Sequence, residues 1–561
     1  MAQAVKEIWP KTKLGIGPAI EDGFYYDFDK KEPFLPQDLT KIEEKMKKII
    51  EEDLPFIKEE VSKEEAKKLF KKLNEDYKLL LIEEIPDKKV TVYKTGERFI
   101  DLCKGPHVES TGKIKYFKLL SIAGAYWHGI ETNPMLSRIY GTCFETKEEL
   151  NNYLKNLEEA KKRDHRKLGP NLGYFDIYYQ EAGAGLVFYH PKGAILRNII
   201  EDFLKKVHIE KGYQLVNTPH IMQAELWKIS GHLDYYRENM YTFKSEGKDF
   251  VLKPMNCPGH ILIYKSKIRS YKDLPLRLFE LGTVYRNEKA GVLHGLLRVK
   301  GFTQDDAHIF CLPEQLKGEI DSIIDFVIEV MRIFGFEDLE MELSTRPSKY
   351  IGSDKDWKQA TQILEEVLKE KAFNYKINPG EGAFYGPKID IKLKDALKRK
   401  WQAATIQCDF NLPSRFKLSY IDEKGKKKQP VMLHRVILGS LERFLGVLLE
   451  HYAGNLPLWL APLQVIIIPV KEDFFPYASE IKEILERESI RCQIDNRSQT
   501  LNKRIRDAEI EKIPYILVIG EKEKKNSTLT VRRRHQTSLE EKPIKEFLLK
   551  LKEEIEKKFI F

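Results

Sequence analysis

Cysteine is scarce. The 561 residues hold six, at positions 103, 143, 257, 311, 408 and 492, with no CxxC pair among them. That spacing excludes a disulfide scaffold and suits a reducing compartment. Long apolar runs are missing too. The most apolar stretch, LPLWLAPLQVIIIPV at 456–470, carries three prolines in 15 residues and is too short and too interrupted to cross a bilayer. The opening residues MAQAVKEIWPKTK lack the apolar core of a secretory signal, so a cytoplasmic protein with no membrane partner is expected. No GxxxxGK[ST] loop occurs, which excludes P-loop use of ATP. GIGP at 15–18 lacks the third glycine of a dinucleotide fingerprint and reads as a turn. A strong charge excess is absent as well: 95 Lys+Arg against 86 Asp+Glu leave +9. Divided along the chain, this is +1 over 1–168, +5 over 169–462 and +3 over 463–561, so no segment is strongly basic.

The chain does have apolar material for several cores, at 42% hydrophobic residues with 29 Phe and 26 Tyr, which excludes wholesale disorder. At about 150 residues per domain, three or four domains are expected. Residues 1–146 mix short strands and helices, with Ile42, Met46, Ile49 and Ile50 on one helical face. Residues 147–168 read as a charged connector helix with a modest stripe of Leu150, Tyr153, Leu154 and Leu157, ending at the Gly169-Pro170 breaker. The block 169–460 holds strand-like runs such as 383–393 and long helices such as 313–334. Its strands are not separated by regular helices, so an antiparallel α+β core is expected. Residues 461–561 alternate strand and helix: strands at 464–470, 491–495 and 514–520, helices near 476–488 and 500–510. That rhythm predicts a small α/β domain with a mostly parallel sheet.

The densest segment is 277–311, where charged residues interleave with aromatics and glycines. Arg286, Glu288, Arg298 and the pair Asp305-Asp306 would be costly to bury without partners. The physical reading is strand–loop–strand, with arginine forks that grip phosphate and carboxylate. MNCPGH at 255–260, WQAATIQCDF at 401–410 and HRVILGSLERF at 434–444 share this density, with His434 and Arg443 placed at two ends of one strand or helix. CKGPH at 103–107 puts a thiol and an imidazole four apart. That spacing alone is weak, and a structural Cys beside a surface His explains it equally well. Taken singly, Cys257, His434 and Met255 also read as ordinary core residues.

These motifs together resemble the class II aminoacyl-tRNA synthetases, and among them the threonyl-tRNA synthetase family. RLFELGTVYRNE with GLLRVKGFTQDDAHIFC is similar to the second signature motif, LGSLERF to the third, and GYQLVNTPHI at 212–221, with Pro219, to the first. Neither HIGH nor KMSKS appears. The resemblance implies an antiparallel class II sheet flanked by helices, an N-terminal α+β editing-like domain and a C-terminal α/β anticodon-binding domain. It implies a homodimer that uses ATP, L-threonine and tRNA(Thr), with one Zn2+ per subunit and Mg2+ on the ATP. Arg286 and Arg443 match the catalytic arginines. With Glu288 and Phe302 they also match the ATP site. Cys257, His308 and His434 match the metal ligands, although 51 and 126 residues separate them. Met255, Gln304, Asp306, Tyr385 and Gln407 match the threonine pocket. In the C-terminal domain Asp495, Lys503, Arg506, Pro514, Gly520 and Arg532–Arg534 match the anticodon-binding pattern, with Lys503, Arg532 and Arg533 taken as tRNA contacts.

A pocket that excludes valine through a metal still admits serine, because one missing methyl is worth only about 1–3 kcal/mol. The family clears the error in an editing domain, which GFYYDF (23–28), DLCKGPH (101–107) and AGAYWHG (123–129) resemble. Cys103 and His107 match half of that site. The HxxxH element that supplies the other half is absent from the sequence, so weak editing of seryl-tRNA is expected unless the gene starts further upstream. A non-catalytic tRNA- or mRNA-binding paralogue is the alternative, and it predicts erosion of Arg286, Arg443 or the Cys-His-His set, none of which is lost.

Overall fold

In the computed structural model, residues 1–561 are described apart from 21, 22, 131, 537 and 559–561. They divide into two compact units, Met1–Glu158 and Glu159–Phe561.

The first unit contains an antiparallel sheet in which Gly23–Asp29 pairs with Lys13–Leu14, Ala19–Ile20 and Met135–Phe144, and the last pairs with Tyr116–Tyr126. The helix Pro36–Glu51 lies in this unit, and Ile42, Met46 and Ile49 are buried from it, as the helical spacing predicts. Ile50 stays half-exposed at the edge of that face. A second antiparallel sheet joins Phe56–Ser62, Lys89–Thr95 and Phe99–Leu102.

The second unit is organised by an eight-stranded sheet: β1 (Gln214–Leu215), β2 (Leu276–Tyr285), β3 (Gly301–Cys311), β4 (Leu339–Ser344), β5 (Tyr375–Asn378), β6 (Lys388–Lys394), β7 (Lys400–Asp409) and β8 (Val431–Val436). Their order is β1-β2-β3-β8-β7-β6-β4-β5, antiparallel except for the outermost pairs β1–β2 and β4–β5. This is the expected α+β arrangement. Six helices matter for the site: α1 (His165–Leu172), α2 (Pro191–Glu210), α3 (Cys257–Lys265), α4 (Leu316–Ile333), α5 (Asp354–Glu370) and α6 (Leu441–His451). One face of the sheet is sealed by α4 and α6. Ile320, Ile324, Val327 and Met331 recur at helical spacing on α4 and pack with Ala307, Ile309 and Cys311 of β3. Successive side chains of β3 point to opposite faces, so the even-numbered Gln304, Asp306 and His308 share the other face.

Several segments differ from the sequence reading. The helix expected over 147–168 is two helices, Lys147–Arg163 and α1, split at Asp164, whose carboxylate caps α1 by accepting from the Arg166 N–H. Of the strand-like run 383–393 only Lys388 onward is strand. Ala383 and Gly386 bridge each other in a turn, and a Cβ at Gly386 would lie 1.9 Å from the Cys408 carbonyl oxygen. His434 and Arg443 lie on separate elements, β8 and α6, because Gly439 (φ +77°) reverses the chain between them.

The C-terminal sheet is mixed rather than mostly parallel. Val465–Pro469 pairs in parallel with Cys492–Ile494 and Tyr515–Ile519, whereas Thr528–Arg533 and Leu539–Pro543 add on antiparallel. The connection between these last two strands is too short for a crossover helix, which forces the antiparallel hairpin.

Candidate functional site

The register of the central strands puts one row of polar side chains across the sheet. His308 on β3 pairs with His434 on β8, which pairs with Gln407 on β7, which pairs with Lys388 on β6. Two positions along β3 from His308 comes Asp306, and two further Gln304. The N-terminus of α3 adds Cys257, and the turn before it adds Met255. Together with Arg286, Tyr385 and Thr405 these residues line a cavity of about 340 Å³. All five residues matched to a threonine pocket, all three matched metal ligands and Arg286 therefore meet in one cavity.

One ligand atom each from Cys257, His308 and His434 lies within 4.8 Å of the others, and all three residues are buried. The hydrogen bonds behind them fix what those atoms are. His434 Nε2 lies 2.9 Å from Asp409 Oδ2, so it carries the proton and donates, which leaves Nδ1 as a bare lone pair. His308 Nδ1 lies 2.8 Å from His260 Nδ1, and His260 Nε2 faces Glu280 Oε2 at 3.4 Å. The Glu280 carboxylate beside His260 Nε2 favours the proton at that nitrogen, so His260 Nδ1 accepts from the His308 Nδ1–H and leaves His308 Nε2 bare as well. The two bare nitrogens, His308 Nε2 and His434 Nδ1, stand 2.9 Å apart. Two lone pairs that close repel unless a cation lies between them. Burial pushes the Cys257 thiol well above its ordinary range, with Asp306 and Asp409 adding to the effect, so a thiolate there also needs a cation. Two imidazoles and one thiol with oriented outer partners form a donor set that fits zinc, with an open position toward the cavity.

Next to it stands a cationic hollow. Arg286 lies with its guanidinium carbon 5.0 Å from the Phe302 ring centroid and its Nε donating to the Pro254 carbonyl at 3.4 Å. Arg443 donates from Nε to the Leu297 carbonyl at 3.1 Å. Burial, then Arg286 and Arg298, hold the Arg443 guanidinium below its ordinary pKa. Like charges gathered this way favour a polyanion between them. Glu288 offsets part of the charge by accepting from Arg298 Nη2 at 2.8 Å. Below this hollow, Glu442 accepts from the Thr303 N–H and from Arg197 of α2, while Asp305 accepts from the N–H groups of Ile437, Leu438 and Gly439. Burial pushes Asp305 up to about 7 against the pull of Arg435 and those donors. Asp306, which burial also raises, accepts from Asn256 Nδ2 at 2.9 Å.

Several of these residues were missed in the sequence: Asp409, His260, Asn256, Arg197, Glu442 and His232, whose Nε2 lies 3.0 Å from Met255 Sδ. Asp409, His260 and Asn256 sit inside the motifs already singled out, but only the folded pairing reveals their partners.

In the first unit, Cys103 Sγ lies 3.1 Å from His107 Nε2, the imidazole packed between Phe56 and Tyr93. In the C-terminal part Lys503, on the helix Leu501–Ile510, is exposed, whereas on the strand Thr528–Arg533, Arg532 pairs with Glu509 and Arg533 with Glu554. Arg534 turns inward, donating to the carbonyls of Lys512, Asn455 and Leu456. Among the described residues no helix is long and apolar enough to cross a membrane.

Comparison with known proteins agrees with this geometry. The class II tRNA synthetase core domain (G, H, P, S and T) matches residues 241–452, an anticodon-binding domain matches 464–554, and the threonyl and alanyl tRNA synthetase second additional domain matches 90–140. A threonine–tRNA ligase of Citrifermentans bemidjiense is 56% identical over 99% of this chain and 87% of its own length. The chloroplastic/mitochondrial threonine–tRNA ligase 2 of Arabidopsis thaliana is 52% identical over 98% and 85%. Among solved structures, the RNA-binding domain of threonyl-tRNA synthetase from Cryptosporidium parvum superposes with a TM-score of 0.68 at 42% identity, over 70% of this chain and 98% of that one. With this likeness along nearly its whole length, the chain belongs to the threonine–tRNA ligase family of class II aminoacyl-tRNA synthetases.

Proposed function

We propose that the cavity joins L-threonine to ATP and that the same site then delivers the acyl group to tRNA(Thr). The observation that carries this reading is that the Cys257/His308/His434 set and Arg286 line one cavity. In this reading the metal is zinc, which when bound supplies a Lewis acid for the amino and hydroxyl groups of threonine. Asp306 accepts the proton of the substrate hydroxyl. Valine has no hydroxyl to offer and would bury Asp306, which accepts from Asn256, without the donor that threonine brings, which is the stronger form of rejection. Gln304, Tyr385, Gln407 and Met255 shape the walls. Arg286, aided by Arg443, holds the phosphates of ATP, with Phe302 and Arg443 on the two faces of the adenine. Positive charge already in place meets the negative charge that develops on the α-phosphate as the threonine carboxylate attacks and pyrophosphate leaves. Mg2+ accompanies the ATP.

The same reading assigns 1–146 to an editing-like domain, 147–168 to a connector, 169–460 to catalysis and 461–561 to anticodon binding. Lys503, Arg532 and Arg533 serve as tRNA contacts, and Cys103 with His107 as the thiol–imidazole pair of editing. It makes the protein a cytoplasmic homodimer through the first motif, where Leu215 and Ile221 expose about half of their surface. ATP–pyrophosphate exchange with threonine, serine and valine, run beside a metal assay, tests the reading. Exchange with threonine, less with serine and none with valine is expected, with about one zinc per chain. Exchange with valine but not threonine, or full activity without zinc, overturns it.

A further inference from the structure

His165, at the start of α1, is completely buried, and the reading above gives it no role. Its two ring nitrogens are both engaged. Nε2 accepts the N–H of Leu296 at 3.0 Å, so the proton sits on Nδ1, which donates to Glu450 Oε1 at 2.6 Å. The His165 backbone N–H donates to the same carboxylate oxygen at 3.0 Å. Glu450 lies in the last turn of α6, and its second oxygen is 2.6 Å from Arg399 Nη2. Burial pushes the Glu450 carboxyl up, but the His165 hydrogen bonds and the Arg399 charge outweigh it and keep it ionised below the usual range. With both nitrogens used this way, His165 has no lone pair left for a metal, although Asp164, His165 and Glu450 lie close enough to suggest one.

The ring is fitted between two glycines. A Cβ at Gly295 (φ +49°) would lie 2.2 Å from His165 Nε2. A Cβ at Gly446, on the inner face of α6, would meet Leu296 Cβ at 3.2 Å, Leu297 Cδ2 at 3.4 Å and His165 Cδ2 at 3.5 Å. The loop that His165 holds is the one whose Leu297 carbonyl receives Arg443 Nε, at the opposite end of α6. Arg298, next in that loop, pairs with Glu288. The contacts close a ring: Glu450 at one end of α6, His165, the loop at 295–298, then Arg443 at the other end of α6.

We propose that His165 and Glu450 are positioning residues for ATP, a staple that presses the 295–298 loop onto α6 and so sets the angle at which Arg443 meets the nucleotide. Neither touches substrate. Without the staple Arg443 keeps its charge but loses its fixed direction, so ATP binding weakens while threonine binding, built on β3, β7, β8 and α3, does not. The proposal rests on the ATP role given to Arg443.

The test is ATP–pyrophosphate exchange by the full chain with ATP and threonine varied separately, for His165→Phe, Glu450→Gln, His165→Gln and Arg443→Ala. Losing one such hydrogen bond corresponds to a KM for ATP raised about tenfold in His165→Phe and less in Glu450→Gln, with the threonine KM and zinc content unchanged. His165→Gln, which keeps an acceptor near the Nε2 position, recovers much of the loss. Adding His165→Phe to Arg443→Ala changes the ATP KM no further, since the staple acts through Arg443. A lowered melting temperature with the ATP KM unchanged, or equal rises for ATP and threonine, overturns the proposal. So does a double variant in which the two effects add. If His165→Phe does not fold, the volume-conserving Glu450→Gln decides alone. A full response to ATP in Arg443→Ala would instead overturn the ATP role of Arg443 itself.

Discussion

At the residue scale, the group behind a ligand matters as much as the ligand. The Asp409 carboxylate is fully buried, and by accepting a hydrogen bond from the His434 Nε2–H it keeps the proton there and Nδ1 bare. Replacing it with asparagine allows the opposite tautomer, with the proton on the atom that should bind metal. Asp409→Asn is expected to weaken zinc binding about 10–100-fold, read by competition with a chromogenic chelator, with little change in circular dichroism. Exhaustive chelation of the unaltered protein should abolish exchange with threonine and leave helix content intact. The core formed by α4, α6 and β3 does not depend on the metal.

At the element scale, turns decide which end of a strand or helix faces the site. Gly439 has a positive φ, and a Cβ there would sit 2.8 Å from the Ala403 carbonyl oxygen. Its own N–H binds Asp305, together with those of Ile437 and Leu438. Gly439→Ala therefore strains the backbone and displaces the start of α6. A loss of more than about 1 kcal/mol in urea unfolding is expected, with a higher ATP KM and an unchanged threonine KM. This turn also explains the misreading of HRVILGSLERF as one element. His434 belongs to a strand that spans the sheet and Arg443 to a helix capped by Ser440, whose hydroxyl accepts the Arg443 N–H. Periodicity alone does not separate a six-residue apolar strand from the start of a helix.

At the scale of the whole second unit, two half-buried arginines tie the C-terminal sheet to the segment that follows α6. Arg534 gives its N–H groups to the carbonyls of Asn455, Leu456 and Lys512, and Arg491 gives its own to Trp459 and Ala461. Both are pulled down to about 10 by burial. Carbonyl oxygens are dipoles, so these contacts are directional. Arg534→Ala should loosen the orientation of the C-terminal part against the catalytic part. Charging of tRNA is expected to fall several-fold while ATP–pyrophosphate exchange stays within about twofold, since only charging needs both parts held in register. Equal losses in the two assays would count against this coupling.

Much of the site was legible in the chain because the chemistry is carried by short, dense motifs. The strand–loop–strand at 277–311 appears as β2 and β3, and Ile42, Met46 and Ile49 announce a buried helical face. Amphipathic spacing is local, so it survives in a linear text. The expected single connector helix and the mostly parallel C-terminal sheet failed where one residue, the cap Asp164, or the short stretch between two strands, Thr528–Arg533 and Leu539–Pro543, decided the outcome. The sequence by itself determined the residue types, the helical faces and the family resemblance. Only the tertiary structure decided which groups meet. His308 and His434 become neighbours through antiparallel register, across 126 residues of chain, and His165 reaches Leu296 and Glu450 across 131 and 285. The physical reason is that strand register and helix packing are set by burial summed over a whole core. No window of sequence contains that sum.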